Sequence, residues 1–410
     1  MSIQSLRRAV GRRVALPGVA VLLTTTAIVV AGPAPGAAAA AICSDTTGPK
    51  LTAFARTPGA VNVKVKDKTV TITAHATDDL SGVAGIYVSL TSPAKHGVSR
   101  STSAYLRRVS GTPTSGGWKG TATIHRWTIN GSWHVTSVYL NDRVNNYTYV
   151  SQSQLQSAGY ATALKVASNP DLIKPTAKSF SLKPKSVNTR SGKKTVKVAA
   201  TIKDKGGSGV SGGYVSFGRS GPGGSYGTGT VLSRKRGTST YVGTMTVPKF
   251  ADAISPAKWK ISLFVQDKAG NYTSYDAKAA GRKHWPTTLK VTTTPDAVAP
   301  KLTGVSVSPG SVDVSTKSGK VTVTATATDR VSGTRSVSVR FTDSVSFSSL
   351  TGYLTLKSGT GRNGTWKGSI HVPLCYQAGT YVVSNATLYD TTGNYRNYDP
   401  GFTDSFKVTS

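Results

Sequence analysis

Six marks recur along this chain in the same order, three times over. Asp-x-x-x-Pro opens each copy at Asp45–Pro49, Asp171–Pro175 and Asp296–Pro300. An alternating run ending in Asp follows: Val70, Ile72, Ala74, Ala76, Asp78; then Val196, Val198, Ala200, Ile202, Asp204; then Val321, Val323, Ala325, Ala327, Asp329. Each run leads into Ser-Gly, at Ser81-Gly82, Ser208-Gly209 and Ser332-Gly333. Aromatics recur at Trp118, Tyr241 and Trp366, and again at Trp133, Trp259 and Tyr381. The copies close on Asp-x-x-(Gly/Asn)-Asn-Tyr, at Asp142–Tyr147, Asp267–Tyr272 and Asp390–Tyr395. Marks spaced by roughly 125 residues define an internal repeat. Three homologous units are expected, at 42–168, 169–294 and 295–410.

The alternation has period two, so Val70, Ile72, Ala74 and Ala76 share one face while Thr71, Thr73, His75 and Thr77 share the other. That is an antiparallel strand with one wet side. Composition agrees: all 17 acidic residues are Asp, Met occurs twice, and there are 43 Gly and 19 Pro. Losing Glu and most Met removes good helix formers, while Thr, Val and Tyr favour strands. The expected fold class is all-β: three tandem β-sandwiches, each large enough at ~125 residues to bury its own core. Asp followed by Gly-Asn suits a hairpin turn, because Asp accepts backbone N–H bonds and Gly or Asn tolerates positive φ.

The series of Pro-containing opening, V-x-V-x-A-x-A-x-D-x-x-SG, G-T-Y-x-V and L-x-D-x-x-GN-Y resembles bacterial immunoglobulin-like and fibronectin-type-III-like repeats of secreted and surface proteins. The resemblance spans nearly the whole chain after residue 41 and implies immunoglobulin-like sandwiches. Such repeats serve as spacers, adhesive modules and enzyme appendages, so function must be argued from the site. Gly379-Thr380-Tyr381-Val382-Val383 looks like the family's opening of strand F, where a tyrosine corner sits; Trp133 and Trp259, which lack a hydroxyl, hold that place in the other copies.

Residues 1–41 read as a signal peptide. Arg7, Arg8, Arg12 and Arg13 precede the apolar stretch Val14–Val30, and Gly36–Ala41 offers small-residue cleavage sites. Pro17 and Thr24–Thr26 interrupt the stretch, which falls short of the ~20 residues of a membrane span. The expected location is secreted and extracellular, with cell-wall association open to a protein this basic, and no transmembrane segment is expected. Cys43 and Cys375 are the two thiols. Three ~14 Å-radius domains in a row would hold them ~70 Å apart, whereas a bridge needs Cα atoms within ~7 Å. An intrachain disulfide therefore requires the array to fold back; free or intermolecular thiols are the alternative.

Three Asp recur per unit, at 45, 78 and 142, at 171, 204 and 267, and at 296, 329 and 390. They could form a calcium site at each junction, as in the Asp-Pro linkers of cadherin-like arrays, since Ca²⁺ collects carboxylate and carbonyl oxygens. Capping of each Asp's own turn is the simpler reading, so no metal and no cofactor are expected. A glycosidase would have to use Asp as both acid and nucleophile or base. There is no Gly-x-Ser-x-Gly elbow on a strand–helix turn. The glycine-rich stretch Gly218–Gly229 lacks the Lys-Ser/Thr ending of a phosphate loop and reads as a hairpin tip. No histidine position recurs in all three units. No catalytic residues are expected, and an Asp-based polysaccharide-acting enzyme stays a remote alternative.

Charge is what remains. The chain carries 50 Lys and Arg, for a formal charge of +33. Unit two holds 22 basic against five acidic residues, unit one 13 against five, and unit three 11 against seven. Units of one ancestry with unequal charge show that the fold does not require the lysines. The expected polyanion-binding residues are Lys193, Lys194, Lys197, Lys203, Lys205, Arg234, Lys235, Arg236, Arg282 and Lys283. Their expected partner is an anionic cell-wall polymer, an acidic polysaccharide or extracellular nucleic acid. The alternative is a spacer or matrix protein whose charge is incidental, with lysines that only discourage sheet-to-sheet association. Trp285 lies in a less patterned stretch, where the sequence leaves exposure beside the basic residues open.

Overall fold

The computed structural model describes residues 42–221, 224–399 and 401–410. The expected signal peptide lies outside them. Domain 1 comprises β1 (Lys50–Thr57), β2 (Ala60–Asn62), β3 (Lys68–Thr77), β4 (Val83–Thr91), β5 (Ser101–Gly111), β6 (Ser115–Ile124), β7 (Gly131–Asp142), β8 (Tyr147–Ser151) and β9 (Ala163–Ala167). Domain 2 repeats the series as β10 (Thr176–Lys183), β11 (Ser186–Asn188), β12 (Lys194–Lys203), β13 (Val210–Gly221), β14 (Gly224–Arg234), β15 (Thr240–Val247), β16 (Ala257–Asp267), β17 (Tyr272–Asp276) and β18 (Thr288–Thr292). Domain 3 repeats it as β19 (Lys301–Ser308), β20 (Ser311–Asp313), β21 (Gly319–Thr328), β22 (Thr334–Asp343), β23 (Ser349–Gly359), β24 (Asn363–Val372), β25 (Gly379–Asp390), β26 (Tyr395–Tyr398) and β27 (Ser405–Thr409).

Strand order is the same in every copy, β1-β3-β6-β5-β4-β7-β9-β2 in the first, with β8 on the outside of β7. Two strands change sheets. β1 pairs antiparallel with β3, and beyond the Thr57–Pro58 peptide β2 pairs parallel with β9. β5 pairs with β4 through Leu106 and then with β6 from Arg107. The result in each copy is two β layers around one apolar filling. The inward residues of β3, β12 and β21 are the alternating Val, Ile and Ala of the sequence pattern, all buried. The three cores are separate clusters, as three tandem β domains require.

Trp133, Trp259 and Tyr381 are buried at the base of β7, β16 and β25. The Tyr381 hydroxyl donates to the Gln377 carbonyl, four residues upstream, at 2.8 Å. Trp133 makes the equivalent bond through its indole N–H, to Ile129 O at 2.7 Å. Trp259 instead donates to Asp252 Oδ2 at 2.7 Å. An indole N–H thus replaces the hydroxyl, because buried aromatics with a polar atom find a partner.

Among the described residues, short helices after two of the strands depart from the all-strand expectation. α1 (Gln152–Ser157) and α2 (Ala277–Gly281) follow β8 and β17. Ser151 caps α1 through a capping box with Gln154, and Asp276 caps α2. Each buries one residue, Leu155 and Ala280, against its sandwich.

The domains touch in series and then close. Asp171 N donates to Trp127 O between domains 1 and 2, and Asp296 N to Asp252 O between domains 2 and 3, at 3.2 and 3.1 Å. Side chains reinforce both joints. Arg100 Nη2 donates to Asn271 Oδ1 at 2.5 Å, and Tyr226 Oη to Asn394 Oδ1 at 2.7 Å. The glycine-rich β13–β14 hairpin reaches across the second joint, with Gly224 bridged to Asn394. Cys43 and Cys375 form a disulfide, with Cα atoms 5.1 Å apart. The array therefore folds back, and neither cysteine is free.

Candidate functional site

The ten basic residues singled out in the sequence do not form one patch. Lys197 and Lys203 point away from the core on β12, opposite Val196, Val198 and Ile202. Lys193 and Lys194 sit at the start of β12 and Lys203 and Lys205 at its far end, separated by about 30 Å of strand. At that far end Ile202 N bonds Ser239 O, which brings the β14–β15 turn, with Arg234, Lys235 and Arg236, beside Lys203 and Lys205. Arg282 and Lys283 lie elsewhere, at the end of α2. Lys283 Nζ stands 5.4 Å from the Trp285 ring centroid and 5.9 Å from that of Tyr275. Trp285 is not free: it packs half-buried against Phe180 and Tyr275, because α2 folds it onto the core edge.

Register reveals basic pairs that spacing along the chain does not. Lys183 stands directly opposite Lys197 across β10 and β12, and Lys258 opposite Lys290 across β16 and β18. Domain 1 adds Arg107 opposite Lys119 across β5 and β6. All six are exposed. Like charges in directly opposed positions oppose folding. Carboxylates do not relieve them. Among the described residues two ion pairs occur, Arg219–Asp252 and His125–Asp67. In domain 2, Asp252 is committed to Arg219 and Trp259, and Asp276 to α2.

The three remaining Asp of domain 2 are gathered elsewhere, and domains 1 and 3 also gather three Asp, although in domain 1 Asp79 stands in the cluster where the recurring Asp142 was expected. Carboxylate atoms of Asp45, Asp78 and Asp79, of Asp171, Asp204 and Asp267, and of Asp296, Asp329 and Asp390 each lie within 4.8 Å of one another. Each cluster is a set of stapled turns. Asp204 accepts from Gly206 N and Gly209 N, and Asp267 from Asn271 N and Nδ2. Asp171 links them: its Oδ2 accepts from Ser208 N and its carbonyl from Asn271 Nδ2, while its N–H reaches domain 1. Asp296 does the same with Ser332 N and Asn394 Nδ2, and Asp45 with Ser81 N and Asn146 Nδ2. The Ser-Gly turns hold Gly82, Gly209 and Gly333 at φ between 80° and 89°, which explains the recurring glycine.

Burial sets the acidities. It pushes Asp390 up to about 6 despite hydrogen bonds from Asn394 and Gly393, with the Asp296 charge adding to the rise. Asp267 is raised for the same first reason, with Asp171 and Asp204 contributing. Asp78 is raised by burial and by the Asp45 and Asp142 charges. Burial also acts on Asp45, but hydrogen bonds from Ser81 and Thr47 hold it below the usual range. A hard cation could draw three carboxylate oxygens from each cluster, fewer than the six to eight oxygens calcium prefers.

A third feature escaped sequence reasoning. On the outer face of domain 1, Tyr105, Tyr87, Tyr139 and Tyr149 stand in one cross-strand row over β5, β4, β7 and β8. Tyr147 stacks on Tyr139 with ring centroids 5.6 Å apart.

A family model for a domain of unknown function, DUF7035, matches residues 295–409. No curated protein matches the chain. Solved structures with some likeness include a leucine-rich repeat protein from Bacteroides thetaiotaomicron, 16% identical with a TM-score of 0.14, over 49% of this chain and 23% of that one. The chain thus spans less than a quarter of that protein. The major pilin subunit of Bacillus cereus is 8% identical with a TM-score of 0.19, over 87% of this chain and 95% of the pilin. A DUF4785 family protein from Legionella pneumophila is 9% identical with a TM-score of 0.19, over 88% and 92%. At such identities and TM-scores these likenesses carry no functional inference.

Proposed function

We propose that this is a secreted, non-catalytic binding protein of the cell surface, built from immunoglobulin-like sandwiches, that docks on an anionic polymer chiefly through domain 2. The polymer is a wall polymer, an acidic polysaccharide or extracellular nucleic acid. The immunoglobulin-like type is supported by the first strand's switch between sheets and by the Tyr381 corner. An extracellular setting is supported by the disulfide. Among the described residues no helix is long and apolar enough to cross a membrane.

The observation that carries the reading is the pair of opposed lysines on each outer face of domain 2, Lys183 with Lys197 and Lys258 with Lys290, without a carboxylate partner. A surface evolved only for solubility gains nothing from opposing like charges, whereas an arriving polyanion relieves the repulsion and releases its counterions.

The experiment is retention of the full chain on immobilised heparin as a generic polyanion, across a salt series. Retention should fall steeply with salt. Replacing Lys183, Lys197, Lys258 and Lys290 by Ser should flatten the salt dependence. Replacing Lys357, Lys367, Arg396 and Lys407 of domain 3 should change it much less. Equal losses from both sets would favour incidental charge.

A further inference from the structure

We infer that the tyrosine face of domain 1 is a subsite for a linear acidic polysaccharide, whose sugar rings lie on the aromatic row while an acid group meets Arg107 and Lys119. The inference rests on the polyanion reading for its ligand class, but it places recognition on a different domain and in different chemistry.

Tyr105, Tyr87, Tyr139 and Tyr149 are neighbours in register on four adjacent strands, and with Tyr147 they are between 39% and 65% exposed. Three interstrand spacings make a platform about 14 Å wide. The next outward row, one pleat repeat along the strands, consists entirely of serines: Ser103, Ser89, Ser137 and Ser151. Rings flanked by hydroxyls suit a ligand with flat apolar faces and hydroxyl edges. A protein partner would be met by an interface core depleted of such small polar groups. Tyr itself presents an apolar body with a polar tip.

The fold does not demand this row. In domain 3 the positions in register are Tyr353, Ser338, Thr387 and Asn397, and in domain 2 they are Val231, Tyr214, Phe264 and Ser274. Both domains build the same sheet with one and two aromatics where domain 1 has four.

Charge selects the kind of glycan. Arg107 lies two residues along β5 from Tyr105 and directly opposite Lys119, and neither has an acidic partner within bonding distance. At the matching positions domain 3 has Thr355 opposite Lys367 and domain 2 has Ser233 opposite Val242, so an opposed cation pair at this edge is particular to domain 1. An anion seated at this edge removes their repulsion. Single-stranded nucleic acid would need basic groups tracking every phosphate along the row. Here they stand at one end, which fits a chain bearing an acid group only on some of its rings.

The test uses the full chain with hyaluronan oligosaccharides as probe and an oligo(dT) of similar length beside it, at about 0.15 M and about 0.5 M NaCl. Wild type should bind hyaluronan at both salts. Tyr87→Ala combined with Tyr139→Ala should weaken binding by at least about tenfold at both salts, with unchanged circular dichroism and melting temperature. Arg107→Ser should weaken it mainly at low salt, and Tyr353→Ala in domain 3 should leave it unchanged. Unaltered binding by the tyrosine variant, or no hyaluronan binding by wild type, overturns the assignment. Tighter, tyrosine-dependent binding of oligo(dT) replaces it with nucleic acid. The domain 2 lysine variants report separately on the electrostatic reading, so either can fail alone.

Discussion

Cys375 occupies in domain 3 the place that Trp127 and Asp252 occupy in domains 1 and 2, and its disulfide to Cys43 joins it to the segment just before Asp45. Trp127 and Asp252 each receive the N–H of the next domain's leading Asp. The bridge therefore closes the last domain onto the first at the position where the series is otherwise continued by chain. Three domains so linked form a covalent ring across a sequence separation of 332 residues.

Opening the ring should loosen the assembly without unfolding it, because each sandwich keeps its own core. Reduction, or Cys43→Ser with Cys375→Ser, should increase the radius of gyration in small-angle scattering and leave far-ultraviolet circular dichroism unchanged. The global unfolding midpoint should also drop, since the bridge restricts the unfolded chain by roughly 6 kcal/mol in the loop-entropy account. An unchanged radius would mean that the joints alone hold the ring.

Asp252 is the most heavily used carboxylate in the molecule. It accepts from Arg219 through both oxygens, from Trp259 Nε1 and from Ile254 N, while its carbonyl receives Asp296 N. Its side chain is fully buried and that of Arg219 is 17% exposed. Removing one partner of such a pair strands the other, at a cost of about 3–5 kcal/mol. Asp252→Ala should lower the unfolding free energy of domain 2 by that amount, read from its denaturation curve. It should also quench or shift Trp259 fluorescence, which simple loss of surface charge would not do.

Asp390 predicts a pH dependence of definite sign. Its folded pKa, about 6, lies above its ordinary value of 3.8. The folded state then holds the proton more tightly than the unfolded state, so this group's contribution is full below about pH 4 and is lost as pH rises through about 6. Relative to Asp390→Asn, which cannot titrate, wild type should lose roughly 2–3 kcal/mol between pH 4 and pH 7. Urea melts of both proteins across that range measure the difference. A constant difference would show that Asp390 ionises normally.

Lys197 links stability to binding. Replacing it by Thr, which suits a strand, removes the repulsion from Lys183 and should raise stability by a few tenths of a kcal/mol while shortening retention on a polyanion. Thermal melts and the salt-series column measure the two effects on one sample. A destabilised variant would mean that the lysine stems contribute packing that outweighs their charge.

Local pattern explains what could be read from the sequence. Val196, Val198, Ala200 and Ile202 announce a strand by their own spacing, and Ser208-Gly209 announces its turn. The stacked aromatics and opposed lysines depend instead on register between strands. Lys183 and Lys197 become neighbours only through the β10–β12 pairing, and the tyrosine row needs four strands aligned at once. Ring closure depended on the angles between domains, which no short-range pattern encodes. The Asp marks stood in between. Each was legible as a turn cap, and each is one, but their convergence appears only when three loops meet at one end of a sandwich.

That convergence bears on calcium. In the domain 2 cluster all six carboxylate oxygens of Asp171, Asp204 and Asp267 already accept hydrogen bonds, chiefly from backbone N–H groups of their own turns. Donors that are part of the fold are present without any ion, so a cation must add to them rather than complete them. The melting temperature should therefore move by less than about 1 °C when millimolar calcium replaces a chelator, since stabilisation by a ligand grows with its concentration over Kd. The cluster most open to a different outcome is in domain 1, where Asp78 Oδ2 is buried without a hydrogen-bond partner beside Asp45 and Asp79. A rise of several degrees that Asp78→Asn abolishes would assign the ion there and overturn the turn-capping account for that joint.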